Sequence, residues 1–191
     1  AAVTVTSSNI TAGTYVVGTN ADTRDGTLIY SNNVQITLEN STFDTTGHQN
    51  NDKDTCTVMI NVPGTLKIDR CQVTGHRQAV MVRGGEAQIT NSTITLTDTY
   101  SGGDSDNYDN ANWGAGNNVP MAALLVGNRS SEYKFPATCT LEGTTITAPT
   151  SHNSIYLYQM AESDSSINRQ VTLNIESGTY DIGYKKTQKN P

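Results

Sequence analysis

The chain has 191 residues, of which 35% are hydrophobic and only 16% charged, with a formal net charge of −6. Leu is scarce at nine residues, while Thr reaches 29 and Asn 19, a mixture of β-branched and turn-forming residues that favours many short strands over helices. The acidic balance, with no basic cluster larger than Lys185, Lys186 and Lys189, argues against a nucleic-acid partner.

The longest apolar run, Met121 to Val126, falls far short of the roughly 20 residues a membrane helix needs, so no membrane insertion is expected. Length predicts one domain over residues 1–191. The strand-like opening Ala1-Ala-Val-Thr-Val-Thr6 reads as a trimmed start, so the chain is expected to be part of a longer secreted protein.

Along the chain one short pattern recurs: an aliphatic, an acidic or Thr residue, a turn residue, a small residue, usually Thr, and a large apolar residue. It reads Ile10-Thr-Ala-Gly-Thr-Tyr15, Leu38-Glu-Asn-Ser-Thr-Phe43, Ile68-Asp-Arg-Cys-Gln-Val73, Ile89-Thr-Asn-Ser-Thr-Ile94, Leu141-Glu-Gly-Thr-Thr-Ile146 and Ile175-Glu-Ser-Gly-Thr-Tyr180. Start-to-start spacings are 28, 30, 21, 52 and 34 residues. Between motifs lie the apolar strands Val58-Met-Ile60, Val80-Met-Val82, Leu124-Leu-Val126 and Ile155-Tyr-Leu157. A third strand enters each motif, with Ile36, Leu66, Ala87, Cys139 and Leu173 two residues before the leading aliphatic.

Three strands and three bends per repeat predict an all-β fold, a right-handed parallel β-helix (a solenoid) of about six coils that share one core. Ala12, Asn40, Arg70, Asn91, Gly143 and Ser177 are expected at the bend within the motif, where Asn and Gly suit a left-handed backbone. Cys71 and Cys139 fall in core columns and read as small buried hydrophobes, while Cys56 is left open. The long insertions, residues 44–54, 74–78, 95–120 and 147–153, all leave after the apolar end of the motif, which predicts a single decorated corner. His48, His76 and His152 lie on it and read as solvated turn residues.

The motif Ile89-Thr-Asn-Ser-Thr-Ile94, the pair Gly84-Gly85 and the stretch Trp113-Gly-Ala-Gly-Asn-Asn-Val-Pro-Met-Ala-Ala-Leu-Leu-Val-Gly-Asn-Arg129, with Tyr133 and Pro136 after it, resemble secreted β-helix proteins of the pectin-lyase-like superfold. More narrowly they resemble the adhesin-like surface proteins of gut-dwelling Gram-positive bacteria. That resemblance implies a secreted or cell-surface location and a binding or scaffolding role rather than a reaction. The superfold also contains polysaccharide lyases and glycoside hydrolases, which is the enzymatic alternative; Arg77 and Arg83 are the bases a lyase could draft. A structural spacer is the remaining alternative.

Four features stand out for function. The outward residues of the middle strand, Met59, Met81, Leu125 and Tyr156, form an apolar column that is either covered by residues 97–120, with Trp113 and Tyr108, or open as a ligand groove. These six residues are the candidate ligand-binding set, for a host or glycan surface. Asp104, Asp106 and Asp109 could wrap a calcium ion, although no cofactor is required; the loop lacks the Gly and closing Glu of a helix-flanked calcium loop. Outward Thr rows, Thr42/Gln72/Thr93/Thr145/Thr179 and Asp44/Thr74/Thr95/Thr147/Asp181, suit strand surfaces. A ladder of like charges, Glu39/Asp69/Glu142/Glu176, is expected to oppose sideways sheet pairing. The oligomeric state is left open.

Overall fold

The computed structural model of the chain describes residues 1–19, 22–24, 27–46, 55–97, 122–128, 134–150, 152–159 and 164–180. Asp104, Asp106, Tyr108, Asp109, Trp113 and His48 lie outside the described residues.

Among the described residues all regular structure is β-strand. A first turn of chain supplies β1 (Ala2–Thr6), β2 (Asn9–Thr11) and β3 (Val17–Gly18), and is followed by a small antiparallel hairpin, β4 (Asp22–Arg24) and β5 (Thr27–Ile29). The second turn gives β6 (Val34–Glu39), β7 (Thr42–Asp44) and β8 (Val58–Ile60), and the third β9 (Gly64–Asp69), β10 (Gln72–Gly75) and β11 (Gln78–Val82). The fourth gives β12 (Gly85–Thr90), β13 (Thr93–Leu96) and β14 (Ala122–Asn128), and the fifth β15 (Ala137–Glu142), β16 (Thr144–Thr147) and β17 (Asn153–Gln159). The last strands among the described residues are β18 (Val171–Ile175) and β19 (Gly178–Tyr180).

Each of the first five turns of chain contributes one strand to each of three parallel sheets, and β18 and β19 extend two of them. The first sheet runs β1-β6-β9-β12-β15-β18, the second β2-β7-β10-β13-β16-β19 and the third β3-β8-β11-β14-β17. Every neighbour pair in these sheets is parallel and in an order that follows the chain, so like positions of successive repeats stack into columns. The architecture is therefore three faces of stacked parallel strands, compatible with the β-helix expected from the repeat.

Two inward columns come from the motif. Leu38, Ile68, Ile89, Leu141 and Ile175 pair in sequence across the first sheet, and Phe43, Val73, Ile94, Ile146 and Tyr180 across the second. A third inward column, Ile36/Leu66/Ala87/Cys139/Leu173, also pairs as the sequence predicts. With Val58, Ile60, Val80, Val82, Leu124 and Val126 from the third sheet, these residues form one hydrophobic core. In the outermost described strands of the first sheet the same columns open to solvent: Ile175 is 52% exposed and Val3 46%.

The register corrects the first repeat. Val5, not Ile10, pairs with Leu38, and Ile10 pairs with Phe43. The first motif is thus Val5-Thr-Ser-Ser-Asn-Ile10, with Ser7 at its bend, and Tyr15 lies outside the core column and exposed.

Insertions also leave from two corners rather than one. Residues 45–57, 97–121 and 148–152 connect the second sheet to the third, as expected. The hairpin β4–β5 and residues 129–136 and 160–170 decorate the corner where the third sheet returns to the first. The misread first repeat concealed this second corner, since it absorbed Tyr15 into the core.

The remaining corner, between the first and second sheets, is uniform and tight. Ser7, Asn40, Arg70, Asn91 and Gly143 all adopt positive φ there, between 49° and 56°. Beside them Ser41, Cys71, Ser92 and Thr144 are buried and knit the coils together. Ser41 Oγ donates to the Glu39 carbonyl (2.7 Å) and accepts from the Ser8 N–H (3.1 Å). Cys71 repeats the pattern: its thiol donates to the Asp69 carbonyl (3.3 Å), and its sulfur accepts from the Ser41 N–H. Ser92 Oγ donates to the Thr90 carbonyl (2.7 Å) and accepts from the Cys71 N–H (3.0 Å). A small hydrogen-bonding side chain at each level thus satisfies the backbone groups that a sharp bend would otherwise leave orphaned.

Ile89 is fully buried and its column neighbours pin it on both sides. Urea denaturation of Ile89→Ala should show a loss of about 2–5 kcal/mol, as for other buried truncations that leave a cavity. Thr93→Ala, on the exposed side of the neighbouring strand, should stay within about 0.5 kcal/mol of the parent.

Candidate functional site

The three sheets present very different outer surfaces. On the third sheet, Met59, Met81 and Leu125 stack in register with Tyr156, as the sequence predicts. They form a second apolar cluster with Cys56, separate from the main core. Met81 and Leu125 are 0% exposed and offer no surface to a ligand, whereas Tyr156 is half-buried. Arg77, Gln78 and Arg83, at and beside the ends of β11, are buried as well. Two desolvated guanidinium groups flanking an apolar cluster belong to a packed layer rather than to open ground.

The corner leading into that sheet is equally closed. The hydroxyls of Thr45 and Thr57 lie 2.8 Å apart, Thr57 Oγ1 donates to the Thr74 carbonyl (2.8 Å), and the His76 N–H donates to Thr45 Oγ1 (3.4 Å). His76 and His152 are both buried, which corrects their reading as solvated turn residues. A Thr-Gly-His or Thr-Ser-His turn looks polar in sequence, yet here the bend folds inward beneath the insertions' points of departure. Among the described residues no group of three or more His, Cys, Asp or Glu side chains is placed to hold a metal ion, and no helix is long and apolar enough to cross a membrane.

All three cysteines are free thiols and buried. Cys139 sits in its predicted core column, and burial pushes its thiol up to about 12. Burial does the same to Cys56, to about 12, against smaller opposing effects from the backbone at Val58 and from Arg83. The Cys71 thiol is also raised by burial. Thiols held protonated and out of solvent are poor nucleophiles.

The outward carboxylates of the first sheet are not a bare ladder of like charge. Glu39, Asp69, Thr90 and Glu142 stand in one row, and Lys67 Nζ pairs with Glu39 at 2.9 Å. Asp69 accepts from Thr90 Oγ1 (2.7 Å) and Asn91 Nδ2 (3.3 Å) and pairs with Arg70. These contacts, the Thr90 hydroxyl foremost, hold the Asp69 carboxyl below the usual carboxylate range against the opposing effect of burial. Arg70 also donates to Asn40 Oδ1 (2.8 Å), which explains an arginine at a left-handed bend: its head group ties its own level to the one before, while its partner Asp69 reaches the one after.

Beside this row the first sheet carries a shallow groove of about 300 Å³. Two parallel columns of polar side chains line it, Thr65, Glu86 and Thr138 in one and Lys67, Gln88 and Thr140 in the other. Their backbones form its floor together with those of the inward-facing Leu66 and Ala87. The outward side chains alternate with the core column, so their positions follow from the strand period. Sequence reasoning found the inward residues and passed over the polar neighbours, since Thr, Gln and Lys on a strand look like ordinary solvated surface.

No protein-family model matches the chain, and no curated protein or solved structure matches it either. Any site must therefore be argued from its own chemistry.

Two measurements check this description. Asp69 has a lowered folded-state value, so its stabilisation is complete above the ordinary carboxylate range near 3.8 and is lost as pH falls through the lower folded value. Asp69→Asn should therefore cost about 1–3 kcal/mol at neutral pH, and acid titration of stability should bring the two proteins together below that range. Second, a thiol reagent at neutral pH should label none of the three cysteines rapidly in the native protein and all of them after unfolding in denaturant.

Proposed function

We propose that this chain is a non-catalytic recognition module of a secreted or cell-surface protein, and that it binds glycans on the outer face of its first sheet. In this reading the three sheets close into a right-handed parallel β-helix, the hand that crossovers between parallel strands take in almost all proteins. The resemblance to adhesin-like β-helix surface proteins supports the placement outside the cell.

The observation that carries the reading is the groove itself. Hydroxyls from Thr65, Thr138 and Thr140, the Gln88 amide, the Glu86 carboxylate and the Lys67 ammonium line one trough. Such a set offers donors and acceptors in both directions, the chemistry that a polyhydroxylated ligand satisfies. Lys67 is already paired with Glu39 and Glu86 adds a carboxylate, so the trough has no surplus of positive charge, which suits a neutral saccharide better than a polyanion. Successive coils repeat the polar row about 4.8 Å apart, so a ligand with a similar repeat can be gripped at several levels. The rigid strands hold these side chains ready, which limits the entropy lost on binding.

The test is a glycan array followed by calorimetry on the full chain. Neutral oligosaccharides should bind, and Gln88→Ala combined with Thr138→Ala should weaken binding by about tenfold, that is about 1.4 kcal/mol, with an unchanged melting temperature. An array without a single neutral hit would overturn the proposal. New reducing or unsaturated ends in the same incubations would replace it with the lyase or hydrolase reading.

A further inference from the structure

The corner where the chain enters the first sheet carries an aromatic pair. The rings of Tyr30 and Phe135 meet edge to face with centroids 4.6 Å apart, although 105 positions separate them in sequence (135 − 30 = 105). Tyr30 precedes β6 and Phe135 precedes β15, two strands that are not neighbours in the sheet. The pair therefore reaches across the levels of β9 and β12. A glycine leaves room for the crossing. A Cβ on Gly84, just before β12, would lie 3.1 Å from Phe135 Cβ and 3.3 Å from Cδ2, so Phe135 packs closely against bare backbone there.

This pair remains in contact with solvent. Tyr30 is 42% exposed and its neighbour Ile29 47%, while Phe135 is half-buried. A part-exposed tyrosine offers an apolar ring and a polar hydroxyl together, the combination that enriches it at contact surfaces. Its position matters more than its size. Thr138, which lines the groove, is three residues beyond Phe135, a span of about 10 Å at the rise of an extended chain. Glu86 follows Gly84 by two residues. The aromatic pair thus stands at the N-terminal end of the strands whose outward side chains line the trough.

We infer that Tyr30 and Phe135 form an aromatic platform at the end of this groove, on which one ring of a neutral oligosaccharide stacks. This rests on the recognition reading above and names its ligand class and a second subsite. A pyranose has an apolar face of C–H bonds and a rim of hydroxyls. Its face suits a flat aromatic side chain, and its rim suits Thr138, Glu86 and Gln88 beyond it. Tyr30 contributes a phenolic hydroxyl that can reach a sugar oxygen while the ring body supplies apolar contact. Apolar wall and a few placed polar groups are what small-ligand sites generally combine. A platform fixed by Gly84 and by its partner ring gives up little conformational freedom on binding.

The test uses the full chain with cellotetraose, mannotetraose and galactotetraose as neutral probes and tetragalacturonate as the anionic comparison. At least one neutral probe should bind, and saturation-transfer NMR should place its C–H protons against aromatic protons. Tyr30→Ala should weaken that probe by about tenfold or more, the scale of one lost aromatic contact, whereas Tyr30→Phe should stay within about threefold. Tyr30→Leu, which keeps apolar bulk against Phe135 but no flat ring, makes the same comparison if the alanine variant melts early, and it should also lose the probe.

Binding that survives Tyr30→Ala and Tyr30→Leu but falls with Gln88→Ala would overturn the platform and leave the groove reading intact. Tetragalacturonate bound more tightly than every neutral probe would overturn the ligand class. Absence of binding to all four probes would remove the platform, while the wider glycan array decides the recognition reading separately.

Discussion

The structure depends on one bend. Between the first and second sheets the backbone turns through a left-handed residue at five successive levels, Ser7, Asn40, Arg70, Asn91 and Gly143. Four of these carry side chains, for which such a conformation costs roughly 1–2 kcal/mol each. At the four later bends the buried Ser, Cys or Thr alongside offsets that cost by bonding to its own level and to the level before it. Because the bend is the same length at every level, the strands on either side stay in register, and the core columns follow.

Variation is tolerated only where this constraint is absent. Both remaining corners accept connections of unequal length, and the outer faces have diverged in character. The third sheet carries a second apolar layer flanked by buried arginines. The second carries the Thr rows, in register from Thr42 to Thr179. The first is polar and open, with charges already paired along one row and a trough beside it. This last face is where the proposed saccharide contacts lie, since its side chains are both exposed and held by a regular backbone.

Much of this was legible in the sequence because a stacked repeat writes its columns directly into residue type. The aliphatic columns, the Asn, Arg and Gly bends and the burial of Cys71 and Cys139 could all be read that way. The first repeat could not, since Ser7 and Ser8 do the work of Asn and Ser elsewhere and Ile10-Thr-Ala-Gly-Thr-Tyr15 imitates the motif more closely. His76 and His152 were misjudged because turn-like neighbours say nothing about which side of a bend faces inward. The contact of Tyr30 with Phe135 was invisible for a different reason. It joins two loops outside the repeat, through a glycine whose importance is the space it leaves.

The ladder at the bend also bears on how the molecule meets force. Hydrogen bonds in all three sheets run from coil to coil, with β1 at one end of the stack and β18 and β19 at the other. A pull along this direction loads the inter-coil contacts in series, so the weakest junction carries the same tension as the strongest. Side-chain bonds add resistance at the tight corner and again where the second sheet leads into the third, through Thr57 with the Thr74 carbonyl and the His76 N–H with Thr45. Under tension the stack should therefore part first at the junction with the fewest such bonds, lengthening the chain one repeat at a time while the rest of the stack stays folded.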